Sequence, residues 1–287
     1  MTLEQYLREH YTPKTAASYG REIQAYLLNC PQAPKALHGD ITNYIGALRK
    51  RYGNPATLNR ILCGIKVYYD WLHASGERGD NPAKSIRLRD KQPRDIQLQD
   101  LFTTEELEKL LDRKERYTLL AYRNRVLVGL LVYQGLLPSE LENLKTTDVD
   151  LDRGTVYIRG TSKTNSRELQ LKPKQIMLFH EYLNRARPKL LKDNESDGLL
   201  IGSRQNRVTA EDITKHVKRS FKGLYAPRKV NCLTIRQSVI TNLLKAGNDL
   251  RIVQVFAGHK YPSATEKYRQ TQVEELKRQI QRHHPLG

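Results

Sequence analysis

At 287 residues, the chain is long enough for two domains of ordinary size, each with its own core. No run approaches the ~18–20 consecutive apolar residues of a membrane span, and the opening MTLEQYLREHYTPKT lacks the apolar core of a signal peptide. Three scattered cysteines, Cys30, Cys63 and Cys232, are too few for a disulfide framework or a zinc site, so the expectation is a cytoplasmic protein with no metal and no cofactor. The net charge of +18 favours polyanions, because each neutralised phosphate releases condensed counterions. The positive residues are spread along the chain rather than gathered in one amphipathic segment, which ranks nucleic acid above an anionic membrane. Aromatic residues make up only 7%, a poor stacking platform for single strands, so double-stranded DNA is the expected partner.

The first 80 residues read as short helices. Thr12 is an N-cap candidate for a helix over 12–30, with Pro13 at its first position and Ala17, Tyr19, Ile23, Tyr26 and Leu27 at helical spacing. A second helix spans 39–53, capped by Asp40 or Thr42 and closed by Gly53. A third spans 54–76, from Pro55 to Gly76, with Leu58, Ile61, Leu62, Ile65, Tyr68, Tyr69 and Leu72 as a broad apolar face. Residues 79–99 then lose periodicity, gain Pro82 and Pro93 and carry many charges, as an extended basic linker does.

Beyond the linker, Thr103 or Thr104 precedes acids in the first turn of a helix over 102–114. The segment 123–145 contains a helix stopped near Gly135 and a short one begun by PSEL. GTVYIRG (154–160) and RELQLK (167–172) alternate like strands around TSKTNS and predict a β-hairpin. Helices follow over 174–191, 209–224, 234–248 and 249–258, with no internal repeat. The tail 273–287 begins as an amphipathic helix with Val273, Leu276 and Ile280.

GLLPSELENLKTTDVDL, TIRQSVITNLLKAGNDLRIVQVFAGHK and ATEKY, in this order, resemble the tyrosine recombinase family, phage integrase and Xer-type. TPKTAASYGREIQAYL, NPATLNRILCGIKVYYDWL and DNPAKSIRL are similar to that family's core-binding domain, so the likeness spans nearly the whole chain. The resemblance implies a mainly α protein. A small helical, SAM-like core-binding domain (1–82) and a basic linker (83–100) precede a mixed α/β DNA breaking-rejoining catalytic domain (101–287), mostly helical with a small antiparallel sheet. It also implies site-specific cleavage and rejoining of duplex DNA through a 3′-phosphotyrosyl link, without metal or ATP. The setting would be the nucleoid of a prokaryote or a mobile element. The protein would form a homotetramer on DNA, with the two domains clamping the duplex and the C-terminal tail docking on a neighbour or back on its own domain.

The chemistry accounts for the residue types. A phosphodiester anion repels nucleophiles, so cationic donors must sit on its non-bridging oxygens, and the departing 5′-oxygen needs a proton donor. By the resemblance, Tyr268 matches the nucleophile and His259, nine positions before it, a donor to a phosphate oxygen. Arg236 matches the second arginine of the family and Lys163, at the hairpin tip, the general acid. Tyr261 falls at the wrong spacing. Arg236 lies on a helix that otherwise reads apolar, and an unpaired buried charge is very costly, so it must face a cleft or a partner. Lys14, Arg21, Arg60 and Lys66 lie on helices that would face DNA.

Departures from the pattern matter as much. Gly135-Leu136-Leu137 stands where the family reads Gly-Leu-Arg, so Leu137 replaces the first arginine. Leu233 and Gln237 stand where histidines are usual. Loss of one preorganised donor typically costs about 10²–10³ in rate. Either another cation reaches the phosphate, with Arg125 the leading candidate and Arg123 behind it, or the chain is a catalytically impaired homologue acting as a DNA-binding or regulatory protein. A relaxing topoisomerase of the same chemistry is a third possibility.

Overall fold

The computed structural model describes residues 1–89, 100–161 and 164–269. The chain divides into two compact units, residues 1–94 and 95–287.

The first unit is helical. α1 (Leu3–His10), α2 (Pro13–Asn29), α3 (His38–Arg51) and α4 (Pro55–Ala74) surround one apolar core. All seven residues of the predicted α4 face are buried, and Asn54 caps the helix by accepting from Ala56 N at 2.9 Å. Where α2 meets α4, the Tyr26 and Tyr69 hydroxyls bond at 2.7 Å and Tyr69 donates on to Ala33 O at 2.8 Å, so both buried hydroxyls are satisfied. Three local expectations are corrected. Thr12 does not cap α2 with its side chain; its hydroxyl turns to Thr15. α3 begins at His38, because the Asp40 carboxylate accepts from Leu37 N at 2.8 Å and so closes the turn before it. Residues 83–89 are not free linker, since Ala83 and Ile86 are buried in this unit's core. The rest of the expected linker, 90–99, lies outside the described residues.

The second unit is built around α6 (Thr118–Gln134), which is apolar on every side from Val126 to Val132 and therefore central. Before it, α5 (Thr104–Glu108) is capped by Thr103, whose backbone N–H donates back to Glu106. α6 stops at Gly135, in the left-handed region at φ 59°, and α7 (Pro138–Asn143) follows. The sheet has three antiparallel strands: β1 (Val149–Asp150), β2 (Thr155–Ile158) and β3 (Arg167–Gln170). The hairpin is as expected from the alternation; β1, two residues long, is an addition that no periodicity could show. Val156 pairs with Leu169 and Ile158 with Arg167, and all four are buried. α8 (Pro173–Glu181), a π turn over Tyr182–Ala186 and α9 (Arg187–Leu191) form one continuous run. Then come α10 (Ala210–Ser220), α11 (Cys232–Lys245), α12 (Leu250–Ala257) and a helix, α13, from 262 to the last described residue, 269. The architecture is mainly α with one small antiparallel sheet.

Candidate active site

Arg236 sits on the buried side of α11 between Ile235 and Ser238, only 4% exposed. Asn231 starts that helix by accepting from Leu233 N and Thr234 N at 2.9 and 3.0 Å, which fixes the phase that turns residue 236 inward. The guanidinium donates to Gly135 O and to Ala257 O, both at 2.6 Å. These carbonyls belong to the C-terminal ends of α6 and α12, where unsatisfied C=O groups and the helix dipoles concentrate negative potential. Burial lowers the Arg236 pKa, and Glu140 works against that. The expectation that this cation must meet a cleft or a partner is answered by two helix ends.

α12 ends at Gly258, again left-handed at φ 69°, and the chain turns into His259. His259 N donates to Gln254 O at 3.0 Å, and its Nδ1 shares a 2.7 Å hydrogen bond with the Thr265 hydroxyl. Burial, then Arg236 and Arg167, push the imidazole pKa down to about 4, so the ring is neutral at pH 7. Thr265 and Tyr268 lie three apart on α13 and so share a face; both are buried. The Tyr268 ring packs on Ile240, Val253 and Ala257, with its centroid 6.2 Å from that of His259 and the planes inclined by 16°. Burial raises the phenol pKa and the Arg236 charge lowers it in part. Tyr261, by contrast, is 72% exposed.

The hairpin reaches the same place from the other side. Asn165 N donates to Gly258 O at 2.8 Å, and Thr164 bridges to His259. Lys163, the neighbour of Thr164, lies outside the described residues. Arg167, on the inward face of β3, grips Glu140 of α7 with both prongs, Nη1 to Oε1 at 2.8 Å and Nη2 to Oε2 at 3.1 Å. The same Oε2 accepts from Leu137 N at 2.9 Å and lies 3.9 Å from Arg236 Nη1. Burial would raise the Glu140 pKa, but the Arg167 fork, the Leu137 N–H and Arg236 outweigh it and hold the carboxylate below its ordinary value. Glu140, Arg167 and Thr265 are site residues that the spacing analysis did not single out.

The two arginines considered as replacements for the missing one are not brought here. Arg125 is exposed near the start of α6, beside Leu110, Arg113 and Phe221. It lies about ten residues, or ~15 Å, along the axis from the helix end that meets Arg236. Arg123 donates to Asn124 Oδ1 at 2.9 Å and to Ile201 O at 3.2 Å. The physical reason is the same for both: a helix carries its early turns away from whatever its last turn touches. In the first unit, Lys14 and Arg21 are exposed, whereas Arg60 pairs with Glu22 and Lys66 donates to Ile86 O at 2.8 Å.

A tyrosine, a neutral histidine and a buried arginine converge in a helical unit with one hairpin laid across them. The phage integrase family profile matches residues 100–275. The chain belongs to the phage integrase family. It is 28% identical over 278 residues to the tyrosine recombinase XerD of Oceanobacillus iheyensis, covering 94% of this chain and 92% of that one. To the tyrosine recombinase XerC of Myxococcus xanthus it is 30% identical over 252 residues, covering 86% and 82%. Among solved structures, XerH bound to a palindromic difH substrate in a post-cleavage complex aligns with a TM-score of 0.71 at 20% identity, over 92% of this chain and 78% of that one. A lambda integrase dimer bound to a COC′ core site aligns at 0.68 and 17%, over 94% and 95%. Those likenesses establish a shared fold.

Proposed function

We propose that the protein is a site-specific DNA recombinase that cuts and rejoins duplex DNA through Tyr268. The observation that carries this reading is the convergence of Tyr268, His259 and Arg236, from three separate elements, onto one buried cluster. In the reaction, the Tyr268 oxygen attacks the scissile phosphorus and loses its proton. The bond from phosphorus to the 5′-oxygen breaks, and that oxygen takes up a proton, leaving a 3′-phosphotyrosyl link and a free 5′-hydroxyl. Attack by a 5′-hydroxyl on the link reverses each step and releases the tyrosine. The phosphodiester energy is stored in the link, so no ATP is consumed, and side-chain cations take the place of a metal on the phosphate oxygens.

Arg236 neutralises a non-bridging oxygen. His259 is neutral at working pH. With the Thr265 hydroxyl donating to Nδ1, the ring proton sits on Nε2 and is offered to the phosphate. Lys163 serves as the proton donor to the 5′-oxygen, and its neighbour Thr164 is anchored on His259. Complete exchange between two duplexes needs each strand of both cut, hence four tyrosines and a homotetramer. The deciding experiment uses a nicked suicide duplex carrying the cognate site. A covalent protein–DNA adduct is expected with wild type and not with Tyr268→Phe. The second reading, a DNA-binding homologue without strand transfer, draws on Leu137 and on Leu233, 58% exposed one turn before Arg236. Site-specific binding with no adduct would establish it.

A further inference from the structure

Among the described residues, no cation on α6 reaches the cluster to stand in for the arginine that Leu137 does not supply. We propose that Arg167, reaching in from β3, makes the site cationic by acting through Glu140 as a positioning residue. This inference rests on the recombinase reading above.

The argument begins with the strand. β3 alternates buried and exposed, and Arg167 occupies the buried phase together with Leu169, opposite Ile158. Replacing both members of a buried ion pair by apolar residues is often neutral or stabilising, so folding does not require the Arg167–Glu140 pair as such, although removing one member alone would strand the other. Arg167 carries a further cost, because its Nε is buried with no hydrogen-bond partner among the described residues. Stability therefore does not account for placing this pair here.

Charge does. The Glu140 carboxylate lies between two guanidinium groups, bonded by both prongs of Arg167 and 3.9 Å from Arg236. With Arg167 in place, the carboxylate is neutralised and Arg236 retains its charge for an incoming phosphate. Without Arg167, the nearest cation for a buried carboxylate is Arg236 itself, which would be drawn off the two carbonyls and cancelled. Arg167 does not serve as a phosphate ligand, since both prongs of its fork are held by the Glu140 carboxylate, which neutralises it, whereas Arg236 bonds two neutral carbonyls and keeps its charge. It also lies against the His259 turn: a Cβ on Gly258 would collide with Arg167 Nη1, so the glycine at that turn is what admits the guanidinium.

The test measures the rate of adduct formation on the suicide duplex. R167Q is expected to fall about 10²-fold, the usual loss for one electrostatic donor. E140Q/R167Q, which removes the carboxylate that would capture Arg236, is expected to recover at least about tenfold of that loss. R167K, which keeps the charge and loses the fork, is expected to stay within about tenfold of wild type, and it decides the matter if R167Q does not fold. The inference is overturned if folded R167Q cleaves as fast as wild type, or if the double variant is no faster than R167Q. It is also overturned if R167K is as inactive as Tyr268→Phe. A wild type that forms no adduct refutes the nucleophile reading, and this inference goes with it; normal wild-type adduct with an indifferent R167Q refutes this inference alone.

Discussion

His259 and His216 titrate far from where free imidazole does. Burial, reinforced by neighbouring arginines, pushes both down to about 4. A depressed folded pKa means that the unfolded chain binds more protons between roughly pH 6.5 and pH 4. The stability these groups contribute is complete above pH 6.5 and is lost as pH falls through that window. Thermal unfolding of the full chain should therefore drop by several degrees from pH 7 to pH 4.5, and His216→Phe should show a smaller drop. An unchanged acid sensitivity in that variant would assign the loss to other groups. At this scale, the spacing from His259 to Tyr268 and the placement of Arg236 on an apolar helix were legible from the residues alone. Arg167 was visible only as another hairpin cation, although it shares the inward phase of β3 with Leu169, and that alternation was the available signal. Glu140 and Thr265 left no signal, because each acts on a partner distant in sequence or on the far side of a turn.

Element ends, rather than element middles, assemble the cluster. Gly135 and Gly258 both adopt positive φ where α6 and α12 stop, and each exposes a carbonyl or a turn to a guanidinium. Gly258→Ala combines left-handed backbone strain with collision against Arg167 and with Asn165 O at 3.1 Å. It should cost about 1–3 kcal/mol, read as a lower urea midpoint. Gly247→Ala, also at positive φ but with nothing within 4 Å of the added Cβ, should cost only the backbone part, about 1 kcal/mol. Equal losses would mean that the Arg167 contact is irrelevant to Gly258. The long helices were readable because caps and apolar faces are local. α1 escaped notice because only Tyr6 and Leu7 are buried in its eight residues, too few to set a period.

Over the whole molecule, the excess of basic residues sets how the proposed recombinase would meet DNA. Exposed Lys14 and Arg21 in the first unit, and Arg204, Arg219 and Lys222 around a cleft of about 750 Å³ in the second, are the cations that, on the proposed reading, would meet phosphates rather than read bases. If about 6–10 phosphates are contacted, affinity for duplex DNA should fall about 10³–10⁵-fold between 50 and 200 mM salt, measured by fluorescence anisotropy. A nearly flat dependence would contradict backbone-dominated binding. No helix among the described residues is long and apolar enough to cross a membrane.

Caps and periodicity by themselves determined the helical order and the hairpin, composition determined the charge that favours a polyanion, and resemblance to the family's motifs singled out Tyr268, His259 and Arg236 as candidates. Each of these depends on neighbours within a few turns of chain. Tertiary structure alone decided which cation stands near the place Leu137 leaves empty. The link from Arg167 to Glu140 spans 27 residues and that from Arg236 to Gly135 spans 101. Contacts of that length arise from the packing of whole elements, which no local pattern encodes. That is why the sequence pattern along α6 favoured Arg125, while the buried cation on Glu140 lies on a strand.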